Sequence, residues 1–463
     1  VTLALGLALL AATPGPSWSF TVKPTLATGL VEVRAVFSGA VTARVCLDMP
    51  GSGPASRVEQ QVDGGWVSRA PSAGDADCFE VTPADPLTLR STVDLGALTQ
   101  AHHDADFAQR FEGAWVFNEE AVLLRPDPVP AEGALQLAFD LEPGVAVAGP
   151  WSQTDATHFQ SSWAQYDAGS YVALGHLESL GELKVGGAVV SLTRLPGEAK
   201  ADATTLRRWV TRALDSLTDF YGEVPSGPLH RVHVVLAPIP GATDPGVFGE
   251  VLRRGTPSVL LLFGAEASPA AQGPDGFDRD WVATHELFHL GNPLVRGVRA
   301  PWLVEGFTTY YTDVLRARAG RLPQAEAWAS LVGNCRDHGQ SVDARSLLDE
   351  SHQMEQSHSW DRVYRGGACL ALRLDVALRA RSGGRRTLDD VLRGLRAHVG
   401  AFTETELIAA LDAEVGGAMA SKVLAQKALD PQLTTLLAGL ERAPLVAVRR
   451  AICAPRQVTE KPR

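Results

Sequence analysis

The sequence predicts a multidomain α+β protein: an N-terminal antiparallel β domain, a mixed lobe carrying two metal-binding helices, and a helical C-terminal lobe. Three observations predict it. The chain has 463 residues, more than one hydrophobic core ordinarily serves. Between Phe20 and about Leu195 apolar and polar residues alternate, the period of half-buried strands. From Pro323 onward apolar residues recur three and four apart, the period of amphipathic helices.

At the N-terminus, Leu3 to Ala12 form an apolar run that Thr13-Pro-Gly-Pro16 interrupts, and Ser17-Trp-Ser19 offers small residues before a cut. Residues 1–19 thus have the pattern of a secretory signal peptide, without the usual preceding basic residue. Export to a periplasm or to the exterior is expected. The run is too short to cross a bilayer and no other segment comes near that length, so no integral membrane span is expected.

Residues 20–195 read as the β domain. Its strands include Leu30 to Phe37, Ala43 to Leu47, Gly133 to Phe139 and Val185 to Thr193, separated by clusters of Gly, Pro, Ser and Asp. An antiparallel sandwich or saddle of sheets is expected. Residues 196–322 read as the mixed lobe. A helix is expected over Ala201 to Tyr221, with Leu206, Val210, Leu214, Leu217 and Phe220 on one stripe, then strands at Arg231 to Leu236 and Ser258 to Phe263. Residues 323–463 read as helices, at Gln324 to Cys335, Arg362 to Arg381, Leu388 to His398 and Thr403 to Glu414, with Gly383-Gly384 as a stop.

The chemistry sits in Trp281-Val-Ala-Thr-His-Glu-Leu-Phe-His-Leu-Gly-Asn292. His285 and His289 are four apart, so on a helix both imidazoles share a face and can grip one metal ion. Glu286 is placed to hold a water at that ion without ligating it. A second helical stretch, Trp302 to Asp313, puts Glu305 sixteen positions after His289, beyond a loop with Gly291, Pro293, Gly297 and Pro301 that lets the chain double back. Glu305 completes a His₂Glu set with one open position, the pattern of a catalytic zinc site and one Zn²⁺ per chain. A structural zinc would want four protein ligands, and no Cys stands near His285.

The formal net charge of −11 argues against a nucleic-acid surface. Of the five cysteines, Cys46 and Cys78 fall in the β domain and could pair after export; Cys369 reads as a buried free thiol, and Cys335 with Cys453 is a possible second bridge. The other ten histidines, the His102-His103 pair included, have no comparable partners and read as surface or core residues.

These residues resemble the glycyl aminopeptidase family of gluzincin metallopeptidases. The resemblance rests on His285-Glu-Leu-Phe-His289 with Asn292, on Trp302-Leu-Val-Glu-Gly-Phe-Thr-Thr-Tyr-Tyr311 with Asp313, and on Tyr364-Arg-Gly-Gly-Ala-Cys-Leu-Ala-Leu-Arg-Leu-Asp375 followed by Thr387-Leu-Asp-Asp-Val-Leu392. The aminopeptidase N family shares the same general plan. The resemblance implies a thermolysin-like catalytic lobe behind an all-β domain. It also implies zinc held by His285, His289 and Glu305, Glu286 as general base, Tyr364 as donor to the oxyanion, and a peptide or protein as substrate. Thr309, one turn beyond Glu305, could orient a ligand histidine, and Asp313 lies two turns beyond.

Aminopeptidases of this clan hold the substrate amine with an acidic residue on a glycine-rich edge strand. Here Gly246 to Ser258 occupies that region; Glu250 is the acidic candidate, and Arg253 and Arg254 would instead favour acidic or internal peptide positions. Three readings follow: a zinc aminopeptidase, a zinc endopeptidase that ignores free amines, and a catalytically silent binding protein that retains zinc.

Overall fold

A computed structural model describes residues 16–39, 41–102, 106–129, 133–162, 169–227, 229–253, 255–268, 276–297, 299–337, 345–398, 400–427 and 445–454. The apolar run Leu3 to Ala12 lies outside them. Among the described residues no helix is long and apolar enough to cross a membrane.

The β domain is built on an eight-stranded sheet and two four-stranded sheets. The strands Ser17–Thr25 and Leu30–Ser38 alternate strictly, turning Trp18, Phe20 and Val22, and Val31, Val33, Ala35 and Phe37, into one core. Phe37 packs edge-to-face against Trp18 at 5.0 Å and Phe20 at 5.8 Å. Each such buried side chain contributes about 1.5–3 kcal/mol. The pairing is mostly antiparallel, as the alternation implies, with one exception: Ser17–Thr25 pairs in parallel with Ala134–Phe139. Alternation is the same for either direction, and the long intervening chain provides the crossover a parallel pair needs. Ser17–Thr25 also begins inside the expected 1–19 leader, with Trp18 only 2% exposed, so the domain starts no later than Ser17. Cys46 and Cys78 face one another on adjacent strands and form a disulfide.

The mixed lobe holds a five-stranded sheet. Arg231–Ile239 and Ser258–Gly264 run parallel at its centre and are buried on both faces, as their unbroken apolar sequence requires. Gly246–Leu252 lies antiparallel at one end of the sheet, and among the described residues no strand pairs with its outer edge. At the other end is a hairpin, Glu178–Val185 and Ala188–Arg194, joined by Gly186-Gly187 at φ +53° and +79°. This corrects the sequence reading, which ran Val185 to Thr193 as one strand of the β domain. The hairpin pairs in parallel with Arg231–Ile239 and so belongs to the mixed lobe. Local patterning identifies a strand but not the sheet it joins. The helix Ala203–Tyr221 forms over nearly the expected range, capped by Asp202 accepting from Thr205 N at 2.7 Å and ended by Gly222 at φ +85°.

The β domain meets the mixed lobe across a largely apolar face. Ala114, Val116, Tyr171 and Ala173 pack with Val235, Ala237, Leu260 and Leu262. Ser170 Oγ donates to Thr256 O and Tyr171 N donates to Ser258 Oγ, both at 2.8 Å.

The long helices of the helical lobe are Gln324–Asp337 and Trp360–Ser382, and the helix Pro301–Arg318 of the mixed lobe packs with them in one core. The disulfide here is Cys335–Cys369, linking Gln324–Asp337 to Trp360–Ser382, while Cys453 is buried and forms no disulfide. The sequence reading had Cys369 free and Cys335 opposite Cys453. The pairing follows from which helix faces pack, which cysteine spacing does not encode.

Candidate active site

The helix Val282–His289 is buried along its whole length. Asp280 fixes its start, accepting from Ala283 N at 3.2 Å and Trp209 Nε1 at 2.9 Å. The helix ends within three residues, and after a short loop Pro301 opens the helix that carries Glu305. His285 Nε2 and His289 Nε2 then stand 3.3 and 3.4 Å from the same Glu305 Oε2. Ligands about 2.0–2.1 Å from a tetrahedral zinc are separated by roughly 3.3–3.4 Å, so the three donors already have the required spacing. Among the described residues this is the one cluster of His, Cys, Asp or Glu close enough to share an ion.

The outer nitrogens are held by hydroxyls. Thr312 Oγ1 donates to Thr308 O at 2.8 Å and so is free to accept from His285 Nδ1 at 3.3 Å. Thr308 Oγ1 donates to Val304 O at 2.5 Å and lies 3.4 Å from His289 Nδ1. A proton on His285 Nδ1 leaves its Nε2 lone pair facing the metal position. Asn292 Nδ2 donates to Thr308 Oγ1 at 3.0 Å and Val304 O at 3.1 Å, beside His289 Nδ1 at 3.1 Å. These positions correct the assignment of Thr309, whose buried hydroxyl has no partner. Residues three and four beyond Glu305 straddle its helix face, and the imidazoles lie on the side of Thr308 and Thr312. Asp313 is buried but pairs with Arg316 at 3.2 Å rather than with an imidazole. Arg316 in turn donates to Arg279 O at 2.8 Å, so Asp313 ties the Glu305 helix to the segment before the metal helix. Removing the hydroxyl in Thr312→Val, or the amide in Asn292→Ala, should weaken zinc affinity about 10–100-fold. Thr309→Val should leave it unchanged, and competitive titration with a zinc chelator measures all three.

Glu286 is buried with its Oε2 4.0 Å from His289 Nε2. Burial pushes its carboxyl up to about 7, opposed by His285 and reinforced by Glu305 and Asp280. Glu305 behaves oppositely: burial would raise it, but His289 and His285 together hold it well below the carboxylate range. It stays an anionic ligand.

Tyr364 stacks parallel to His285, with centroids 6.0 Å apart. Burial, then the Glu305 and Glu286 carboxylates, push its phenol upward, so it remains a donor. Two glycines bring it there. A Cβ at Gly306 would run into Gly367 Cα, and one at Gly367 into Trp302 O, so the Glu305 and Tyr364 helices touch backbone to backbone. The same helices are clamped by Tyr310 donating to Asp375 at 2.8 Å, and Tyr311 ties the Glu305 helix to the following helix Leu388–Arg396 by donating to Asp389 at 3.1 Å.

The edge strand Gly246–Leu252 lies against the metal helix. A Cβ at Gly249 would strike Glu286 Cγ. Glu250 therefore sits one residue from the general-base position. Its Oε2 lies 3.0 Å from Tyr171 Oη, which also lies 2.7 Å from Asp106 Oδ1. One phenol proton serves two carboxylates, and exposed Arg299 lies 3.7 Å from Asp106 Oδ2. Asp106 and Tyr171 come from the β domain, and sequence reasoning missed both because only the domain interface brings them here. Arg253 does not face this cluster: it donates to Asn292 O at 2.8 Å, bracing the C-terminal end of the metal helix. Arg254 lies outside the described residues.

No family model matches the chain, and no curated protein matches its sequence. Solved structures do resemble it. An aminopeptidase N family protein from Idiomarina loihiensis superposes with TM-score 0.67 at 15% identity, covering 96% of this chain and 77% of that one. The M1 zinc metallopeptidase of Deinococcus radiodurans gives 0.54 at 17% identity, covering 90% and 95%. Native yeast LTA4 hydrolase gives 0.56 at 13% identity, covering 92% and 70%. At these identities the likeness is one of fold: this chain has the mixed, multidomain α/β architecture of the M1 metallopeptidases.

Proposed function

We propose that this protein is a zinc-dependent peptidase that releases the N-terminal residue of peptides, with a thermolysin-like mixed lobe and a kinship to the glycyl aminopeptidases within the M1 fold. The observation that carries the reading is the His285–His289–Glu305 donor set at tetrahedral spacing, with Glu286 and Tyr364 beside it. The residues fit zinc: two buried imidazoles and one partly buried carboxylate, each imidazole with its Nδ1 near a threonine hydroxyl.

Zinc at this position would lower the pKa of a water and polarise the scissile carbonyl. Glu286 accepts the proton of the attacking water and returns it to the leaving amine. Tyr364 donates to the oxyanion, a contact whose loss costs about 3 kcal/mol. The outer edge of Gly246–Leu252 aligns the substrate main chain. Glu250, Asp106 and Tyr171 form the anionic receptor for a free α-ammonium, which would otherwise be desolvated without a partner.

Matched peptides with free and acetylated N-termini test the amine receptor. Acetylation should lower kcat/KM by about 10²-fold or more, and Glu250→Gln should remove most of that difference. Equal rates for both peptides would make the enzyme an endopeptidase. A preference that survives Glu250→Gln would move the receptor to Asp106.

We also propose export, with cleavage before Ser17. The two disulfides and the core position of Trp18 support this reading. Mass spectrometry of protein from the native host should find a mature chain that retains Trp18 and lacks Leu3 to Ala12. A product that keeps the apolar run contradicts export.

A further inference from the structure

Eight large hydrophobic side chains are exposed among the described residues, and four of them, Val247, Phe248, Trp281 and Trp360, stand on the elements that line the candidate site. Exposed apolar surface gathered in one place marks a binding surface rather than chance. Trp281 is 49% exposed, lies one helical turn before His285, and meets that imidazole edge-on at 5.4 Å. Phe248 is 51% exposed on the edge strand.

Two glycines bracket Phe248 and fix where it lies. Gly246 abuts Asp280 and Val282, the neighbours of Trp281 in sequence. Gly249 abuts Glu286. Val247 and Phe248 therefore pass the start of the metal helix, beside Trp281, while Glu250 lies on the other side of Glu286. Trp360 lies one turn before Tyr364, at the end of its helix that Glu355 and Arg299 link to Asp106, and so stands apart from Trp281.

The order along the strand sets a direction. A substrate whose ammonium is held at Glu250 places its first carbonyl beside Gly249 and Glu286, one strand residue, about 3.4 Å, further on. The chain then continues toward Phe248 and Trp281. We propose that Trp281 and Phe248 form an apolar subsite for a large aliphatic or aromatic side chain on the residue that follows the scissile bond. The direction rests on the aminopeptidase reading above; the apolar chemistry of the wall does not.

The test uses zinc-loaded full-length protein and tripeptides Ala-Xaa-Gly in which Xaa is Phe, Leu, Ala or Asp. The expected kcat/KM for Phe and Leu exceeds that for Ala by about tenfold, and that for Asp by more. In Trp281→Ala and, separately, Phe248→Ala, the Phe-to-Ala ratio should fall to within about threefold. The ratio compares two substrates on one protein, so a general loss of activity or of folded fraction cancels. An undiminished ratio in both variants overturns the proposal. The same tripeptides are then bound to zinc-loaded Glu286→Gln by calorimetry. Preferential binding of the Phe peptide that Trp281→Ala abolishes, with no hydrolysis by the unmutated protein, keeps the subsite and removes the peptidase reading. Equal affinity for the Phe and Ala peptides removes the subsite whether or not the unmutated protein cleaves them.

Discussion

Glu286→Gln should retain zinc and lower kcat for peptide hydrolysis by about 10²–10⁴-fold. The amide fills nearly the same volume beside Gly249 and His289 but cannot accept the water's proton. Tyr364→Phe makes the complementary change. It removes only the hydroxyl, leaves the ring against His285, and should lower kcat by about 10²-fold with KM little changed. Steady-state kinetics with elemental analysis of each variant checks both. A Glu286→Gln protein that cleaves at the unmutated rate would show that this carboxylate is not the base.

His289→Ala should reduce bound zinc from about one per chain to near zero and abolish hydrolysis. Catalytic zinc sites hold the ion with three protein ligands, so the loss of one leaves two. The same substitution strands Glu305, whose anionic state depends on its two histidines. Chelation of the unmutated protein should reproduce the loss of activity, and zinc should restore it there but not in His289→Ala. Chelation should also lower the unfolding temperature, because a ligand that binds only the folded state stabilises it by mass action. Elemental analysis that finds full zinc in His289→Ala would place the ion elsewhere.

The site's ligands were legible because their spacing is local. His285 and His289 share a helix face by periodicity alone, and the glycines and prolines before Trp302 announce the turn that returns Glu305 to them. The helical lobe was legible for the same reason, as the ends of Gln324–Asp337 and Trp360–Ser382 fall within a few residues of the expected positions. What the sequence hid depends on packing between distant segments. Thr308 and Thr312, not Thr309, meet the imidazoles because of how two helices are rotated against each other. Cys335 meets Cys369 because their helices pack side by side. The hairpin Glu178–Arg194 joins the mixed lobe because its partner strand lies about forty residues away. Asp106 and Tyr171 reach Glu250 only across the domain interface.

The central claim is that His285, His289 and Glu305 hold a zinc that, with Glu286, cleaves peptide bonds at a free N-terminus. Incubating zinc-loaded protein with an unblocked peptide mixture in ¹⁸O-water, and following the products by mass spectrometry over time, tests it most directly. The account predicts single N-terminal residues released in sequence, each carrying one ¹⁸O in its new carboxylate, with no release after chelation or in Glu286→Gln. Peptides left intact by the zinc-loaded protein, or products cut first at internal bonds, would contradict it.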